Sequence, residues 1–221
     1  MVDKVIEANR RLSDKRITLS KESCLPHISL AMGCIEQNNT CRIEGILSEI
    51  AEQFAVDRLK IAGIHLGTNS LGERVSSFQI ERTEAIQSLH EQVMQRLKPY
   101  LSYDVTADML LAPPISESTL RWITDFPEKS AFVNFFPHIT IGYGEISVFS
   151  FPGEVSVSKL ALCRLGNHCT CCKALNFWVL WDTGLEKKII KSLALFGKFR
   201  YFGCTLIRSY ILHFRNWGRS D

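Results

Sequence analysis

Two segments 111 positions apart carry the same pattern, Pro26-His27-Ile28-Ser29-Leu30 and Pro137-His138-Ile139-Thr140-Ile141. In an extended strand every second side chain shares a face, so His27 and Ser29 point one way while Ile28 and Leu30 point the other. The same alternation sets His138 and Thr140 against Ile139 and Ile141. Proline ahead of each histidine suits the first position of a strand, where its missing amide hydrogen costs no ladder bond. A chain with one such strand in each half is constrained toward two similar halves, each contributing a histidine and a hydroxyl.

The remaining patterning mixes helices with antiparallel strands. Residues 2–22 read as a short helix or an irregular lead-in around Val5, Ile6 and Leu12. Cap and turn residues Asn38-Asn39-Thr40 precede Ile43, Ile46, Leu47, Ile50 and Phe54, whose spacing predicts a helix to about residue 56. Residues 59–66 and 75–80 read as two antiparallel strands across a Gly/Ser/Asn-rich turn. Thr83 opens a helix through Ile86, Leu89, Val93 and Leu97 that stops near Pro99. A short helix over 119–126 is expected to turn Leu120, Trp122 and Ile123 inward. The second histidine strand, 135–141, ends at Gly142-Tyr143-Gly144, and residues 155–163 and 172–181 form a hairpin across Leu165-Gly166-Asn167-His168. This order predicts an α+β domain over 1–181.

Composition sets outer bounds. Of 221 residues 46% are apolar and 22% charged, ordinary values for a globular domain. No run of eighteen uncharged apolar residues predicts a spanning helix, and the start lacks a secretory apolar block, so a cytoplasmic protein with mostly reduced cysteines is expected. The net charge of +3 is uneven: from Glu186 onward eight Lys/Arg face two acids, leaving the body at −3. A basic, aromatic-rich extension, 182–221, thus follows the domain. Its amphipathic stretch Lys187–Lys198 suits packing on the body, a protein partner, an anionic membrane surface or RNA phosphates. The structural or partner-binding role is preferred.

Two imidazoles, each with a hydroxyl beside it, are the parts for acid–base work on a phosphate ester. Near pH 7 one ring can accept a proton from the attacking oxygen while the other donates one to the departing oxygen. Ser29 and Thr140 would donate to the non-bridging oxygens, where charge builds. This scheme needs no metal or other cofactor. Cys169, Cys171 and Cys172, with Cys163 and His168 nearby, lack the two-residue gap usual at zinc sites, and strand alternation separates Cys171 from Cys172. Packing thiols are the preferred reading. Tyr143 either stacks on a base, reaches the phosphate or fills the core, and Phe78 and Ser76 are weaker candidates for a base pocket. His65, His90, His168 and His213 carry no comparable signal.

The segments His27-Ile28-Ser29 and His138-Ile139-Thr140 resemble the paired motifs of the two-histidine phosphoesterase superfamily, especially its 2′-5′ RNA ligase-like branch. Residues 136–143 and 160–171 look like the second lobe of that branch, and the likeness spans about residues 20–180. It implies a bilobal α+β fold, with pseudo-twofold lobes of antiparallel sheet and helices around a central cleft. It also implies a monomeric, metal-independent phosphodiesterase acting on 2′,3′-cyclic phosphates or 2′-5′ linkages of RNA ends or small nucleotides. Carried over, His27 and His138 are the acid/base pair and Ser29 and Thr140 the phosphate binders, serine keeping the hydroxyl of the commoner threonine. The competing expectation is a non-catalytic nucleotide- or RNA-binding module that retains the cleft.

Overall fold

The computed structural model describes residues 1–54, 58–69, 71–146 and 148–180, and the backbone of 206–214. The chain forms helix α1 (Val2–Arg11), strand β1 (Ile28–Ile35), α2 (Thr40–Gln53), β2 (Arg58–Thr68), β3 (Arg74–Ile80), α3 (Glu84–Leu97), α4 (Glu117–Thr124), α5 (Phe126–Lys129), β4 (His138–Tyr143), β5 (Glu154–Leu165), β6 (Cys171–Val179) and β7 (Leu206–Phe214). All named strand pairs are antiparallel, in the order β1-β7-β5-β2-β3-β4 with β6 on β5. The α+β expectation is met.

The sheet has a weak seam. β2 and β5 share only Arg58–Ser156, Leu59–Val155 and Lys60–Glu154, whereas β2–β3 and β5–β6 pair along most of their lengths. The seam separates β1, β7, β5 and β6 from β2, β3 and β4. The terminal strands β1 and β4 nevertheless approach each other. The sheet therefore turns back on itself and brings the two histidine segments together.

Helix formation follows the sequence signals. The Thr83 side chain accepts the Ile86 amide at the start of α3, and Ile86, Leu89, Val93 and Leu97 recur at helical spacing and are buried. In α2, Ile43, Leu47 and Ile50 do the same, and α2 packs on α3 and on β5 and β6. The hairpin expected across Leu165 to His168 is β5–β6. His90, on α3, is fully buried with both ring nitrogens used: Nδ1 donates to the Leu30 carbonyl at 2.6 Å and Nε2 accepts the Phe132 amide at 2.7 Å. Its ring stacks on Phe135 at 4.0 Å. It serves the core.

Two sequence expectations need correction. Trp122 is 42% exposed, because α4 turns Ile123, not its neighbour, into the core. Of the two readings of the lead-in the helix is the one found, α1, whose Asn9 is 1% exposed and ties three segments together. Its Nδ2 donates to the carbonyls of Ile17 and Ile141, each at 2.8 Å, and its Oδ1 accepts the Leu19 amide at 3.0 Å. Asn9→Ala leaves three backbone groups unpaired, and a loss of about 2–3 kcal/mol in urea unfolding is expected. An unchanged midpoint would show that water replaces the amide without cost. Finally, β7, inside the segment expected to be an extension, pairs with both β1 and β5 and belongs to the same sheet. The amphipathic stretch 187–198 lies outside the described residues. Among the described residues no helix is long and apolar enough to cross a membrane.

Candidate functional site

Each histidine is held by the same local device. His27 Nδ1 lies 2.7 Å from the Leu25 carbonyl, and His138 Nδ1 lies 2.8 Å from the Phe136 carbonyl. In both cases proline separates the two residues and fixes the bend that brings the carbonyl beneath the ring. A carbonyl only accepts, so Nδ1 carries the proton and Nε2 keeps a free lone pair. Two rings in the same tautomer, with the same nitrogen left over, follow from two copies of one tripeptide pattern.

Strand parity then aims the neighbours. Ile28, Leu30, Ile139 and Ile141 are fully buried in the core. On the opposite face His27, Ser29, His138 and Thr140 line one cavity of about 390 Å³. Each strand next carries a bulge, between Ser29 and Ala31 in β1 and between Thr140 and Gly142 in β4, which adds a residue and flips the parity. Met32 and Tyr143, rather than residues 31 and 142, are therefore the next cavity residues. The cavity positions 27, 29 and 32 repeat at 138, 140 and 143, each 111 residues later. At the second bulge Gly142 has φ +152°, and a Cβ there would stand 3.0 Å from Leu12 and 3.1 Å from Asn9 Nδ2. Glycine lets α1 sit against the strand.

Burial dominates the electrostatics. It pushes the His27 imidazole down to about 4, against the lift from the Leu25 carbonyl, with the charge of His138 adding to the depression. His138 is lowered mainly by burial, despite the Phe136 carbonyl, and further by the charge of His65. At neutral pH both rings are thus neutral. Neither the Ser29 nor the Thr140 hydroxyl has a hydrogen-bond partner among the described residues, so both are free to donate to an entering oxyanion. Among the described residues no Asp or Glu lines the cavity, whereas His27, His65, His138, His168 and Lys129 do.

Tyr143 is a cavity residue with a built environment. Its hydroxyl is 2.9 Å from His168 Nδ1, and the Arg16 guanidinium lies 3.9 Å from its ring centroid. Arg16 is in turn held by Asp14 and Glu73. His168 sits at φ +58° in the β5–β6 connection. Its amide donates to Thr119 Oγ1 and to Asn167 Oδ1, which also receives Ser116 and Thr119 at the start of α4.

The other two candidates are corrected. Phe78 is fully buried core, and Ser76 spends its hydroxyl on the Gly144 carbonyl and the Ile146 amide. The cavity residues of that strand are Val75 and Ser77, on the opposite face. An apolar Phe78 flanked by Ser76 and Ile80 at alternate positions already marked the core face, so parity could have found Ser77. His65 and His168 gave no local signal, since strand pairing and a tight turn bring them to the cavity from elsewhere in the chain.

The cysteines pack. Cys163 and Cys171 are fully buried beside Leu25 and Ala161. Burial pushes the thiols of Cys24 and Cys169 up to about 12, where they stay protonated. Among the described residues, no group of three or more His, Cys, Asp or Glu is arranged to hold a metal ion.

No protein-family model matches the chain, and no curated protein matches it.

Proposed function

We propose that the protein is a metal-independent phosphodiesterase of the two-histidine kind, bilobal with pseudo-twofold related halves. Its substrates are 2′,3′-cyclic phosphates or 2′-5′ linkages of RNA ends or nucleotides. One observation carries this reading: two imidazoles in the same tautomer, each beside a hydroxyl with no partner among the described residues, open from opposite ends of the sheet into one cavity. The Nε2 atom of one ring takes a proton from the attacking water as its oxygen bonds to phosphorus. The other ring, protonated, gives its proton to the ester oxygen that leaves. Each transfer contributes typically ~10²–10⁴ in rate. The proton on the acid is favoured by the substrate itself, because an anion between two depressed imidazoles raises their affinity for it. Ser29 and Thr140 donate to the non-bridging oxygens as their charge grows.

The test is hydrolysis of nucleoside 2′,3′-cyclic phosphates and 2′-5′ dinucleotides by the full chain, with and without chelator. Turnover that survives chelator is expected, and strict metal dependence would overturn the scheme. Ser29→Ala and Thr140→Ala should each reduce kcat by about 10²-fold, the usual loss on removing one donor to a developing oxyanion. Tight binding without product would identify a non-catalytic module instead.

A further inference from the structure

One row of polar side chains leads away from the paired histidines. Thr140 on β4 pairs with Ser77 on β3, and Ser77 pairs with His65 on β2. All three line the cavity. Neighbouring strands lie about 4.8 Å apart, so the row runs about 10 Å from Thr140 to the His65 backbone. Ser77 is only 4% exposed, and its hydroxyl, on the cavity side, has no partner among the described residues. A hydroxyl that opens only on the cavity has its donor free for a partner that arrives there.

His65 stands at the rim of that cavity. Its ring meets Phe136 edge-on at 5.0 Å, and Phe136 stacks on His138 at 5.5 Å. Neither of its ring nitrogens has a partner among the described residues. Two positions on, Gly67 leaves it room: a Cβ there would lie 3.2 Å from His65 Nε2. The surroundings favour an anion over a cation. Among the described residues no carboxylate lines the cavity, and the one lysine there, Lys129, is already paired with Asp125 at 2.6 Å.

Resting on the phosphodiesterase reading, we infer that Ser77 and His65, the outer members of the row that starts at Thr140, bind a second phosphate, next along the chain from the one between His27 and His138. The substrate then carries at least two phosphates, and the span of the row fits the end of an oligonucleotide. A nucleotide bisphosphate offers the same chemistry from a single nucleoside. His65 is a specificity-determining residue here, with no part in the proton transfers.

Calorimetric binding at fixed pH and salt tests this without relying on turnover. The probes are adenosine 3′-phosphate, adenosine 3′,5′-bisphosphate and the dinucleotide ApA bearing a 3′-phosphate. In the wild-type protein the second phosphate should tighten binding about tenfold, the worth of a charge-assisted hydrogen bond. That gain should fall below about threefold in His65→Ala, drop part-way in His65→Gln and Ser77→Ala, and survive in Lys129→Ala. A dinucleotide binding more tightly than the bisphosphate assigns the site to an oligonucleotide end; equal binding assigns it to a bisphosphate. No gain in the wild type, or an undiminished gain in His65→Ala, overturns the inference. A gain lost in His65→Ala, in a protein that hydrolyses none of the esters above, would leave this subsite standing while the catalytic reading fell.

Discussion

His27→Ala and His138→Ala are each expected to lower turnover of a 2′,3′-cyclic phosphate by about 10³-fold or more. Each removes one proton transfer and also the ring beneath which the phosphate sits. The effects should not multiply in the double variant, because one half of a base–acid pair has little to act with. Both rings border open cavity, so thermal unfolding of the variants should remain cooperative, and rates are to be compared only where it does. Added imidazole, small enough for the vacated space, should restore part of the rate. Activity within a few fold of wild type in either variant would remove that histidine from the chemistry.

Stability should fall as pH drops from about 6.5 toward 4, well before the carboxylates matter. In the unfolded chain an imidazole binds its proton near 6.5, whereas folded His27 does so only at about 4. Between those values the unfolded state holds more protons, so falling pH favours unfolding; above 6.5 both states are neutral and full stability is present. For His27 alone the loss across the window is at most about 3 kcal/mol. His138, His90 and His168 are lowered by burial too and act in the same sense. Glu7, Asp14 and Glu73 are lowered by hydrogen bonds to Lys4, Arg16 and Asn69 respectively, so their contribution disappears only at more acid pH. Urea midpoints at pH 7 and pH 4.5 should therefore differ by less in His27→Asn than in wild type. Equal differences would show that the His27 ring is protonated as readily in the fold as out of it.

The two predictions differ in how much of their basis was legible in the chain. The pairing of His27 with Ser29 and of His138 with Thr140 is a consequence of period-two alternation within five residues, and no folded structure was needed to see it. The helices of Ile43–Ile50 and Ile86–Leu97 were equally plain, since their apolar spacing has one interpretation. Trp122 was misjudged because a short helix shows too few turns to define its buried face. Phe78 and Ile80 mark the core face of β3, and their burial leaves Val75 and Ser77 to the cavity.

What the amino-acid order determined by itself is therefore local: strand faces, helix stripes, and the Pro-His pattern that locks each Nδ1 on a carbonyl two residues back. Tertiary structure decided which of those faces meet. The convergence of β1 and β4, the bulges that swing Met32 and Tyr143 inward, and the arrival of His65 and His168 all depend on contacts between residues distant along the chain. Alternation acts over two residues and helical periodicity over four. Neither carries information about which strand lies beside which, because that is set by the burial of many side chains at once.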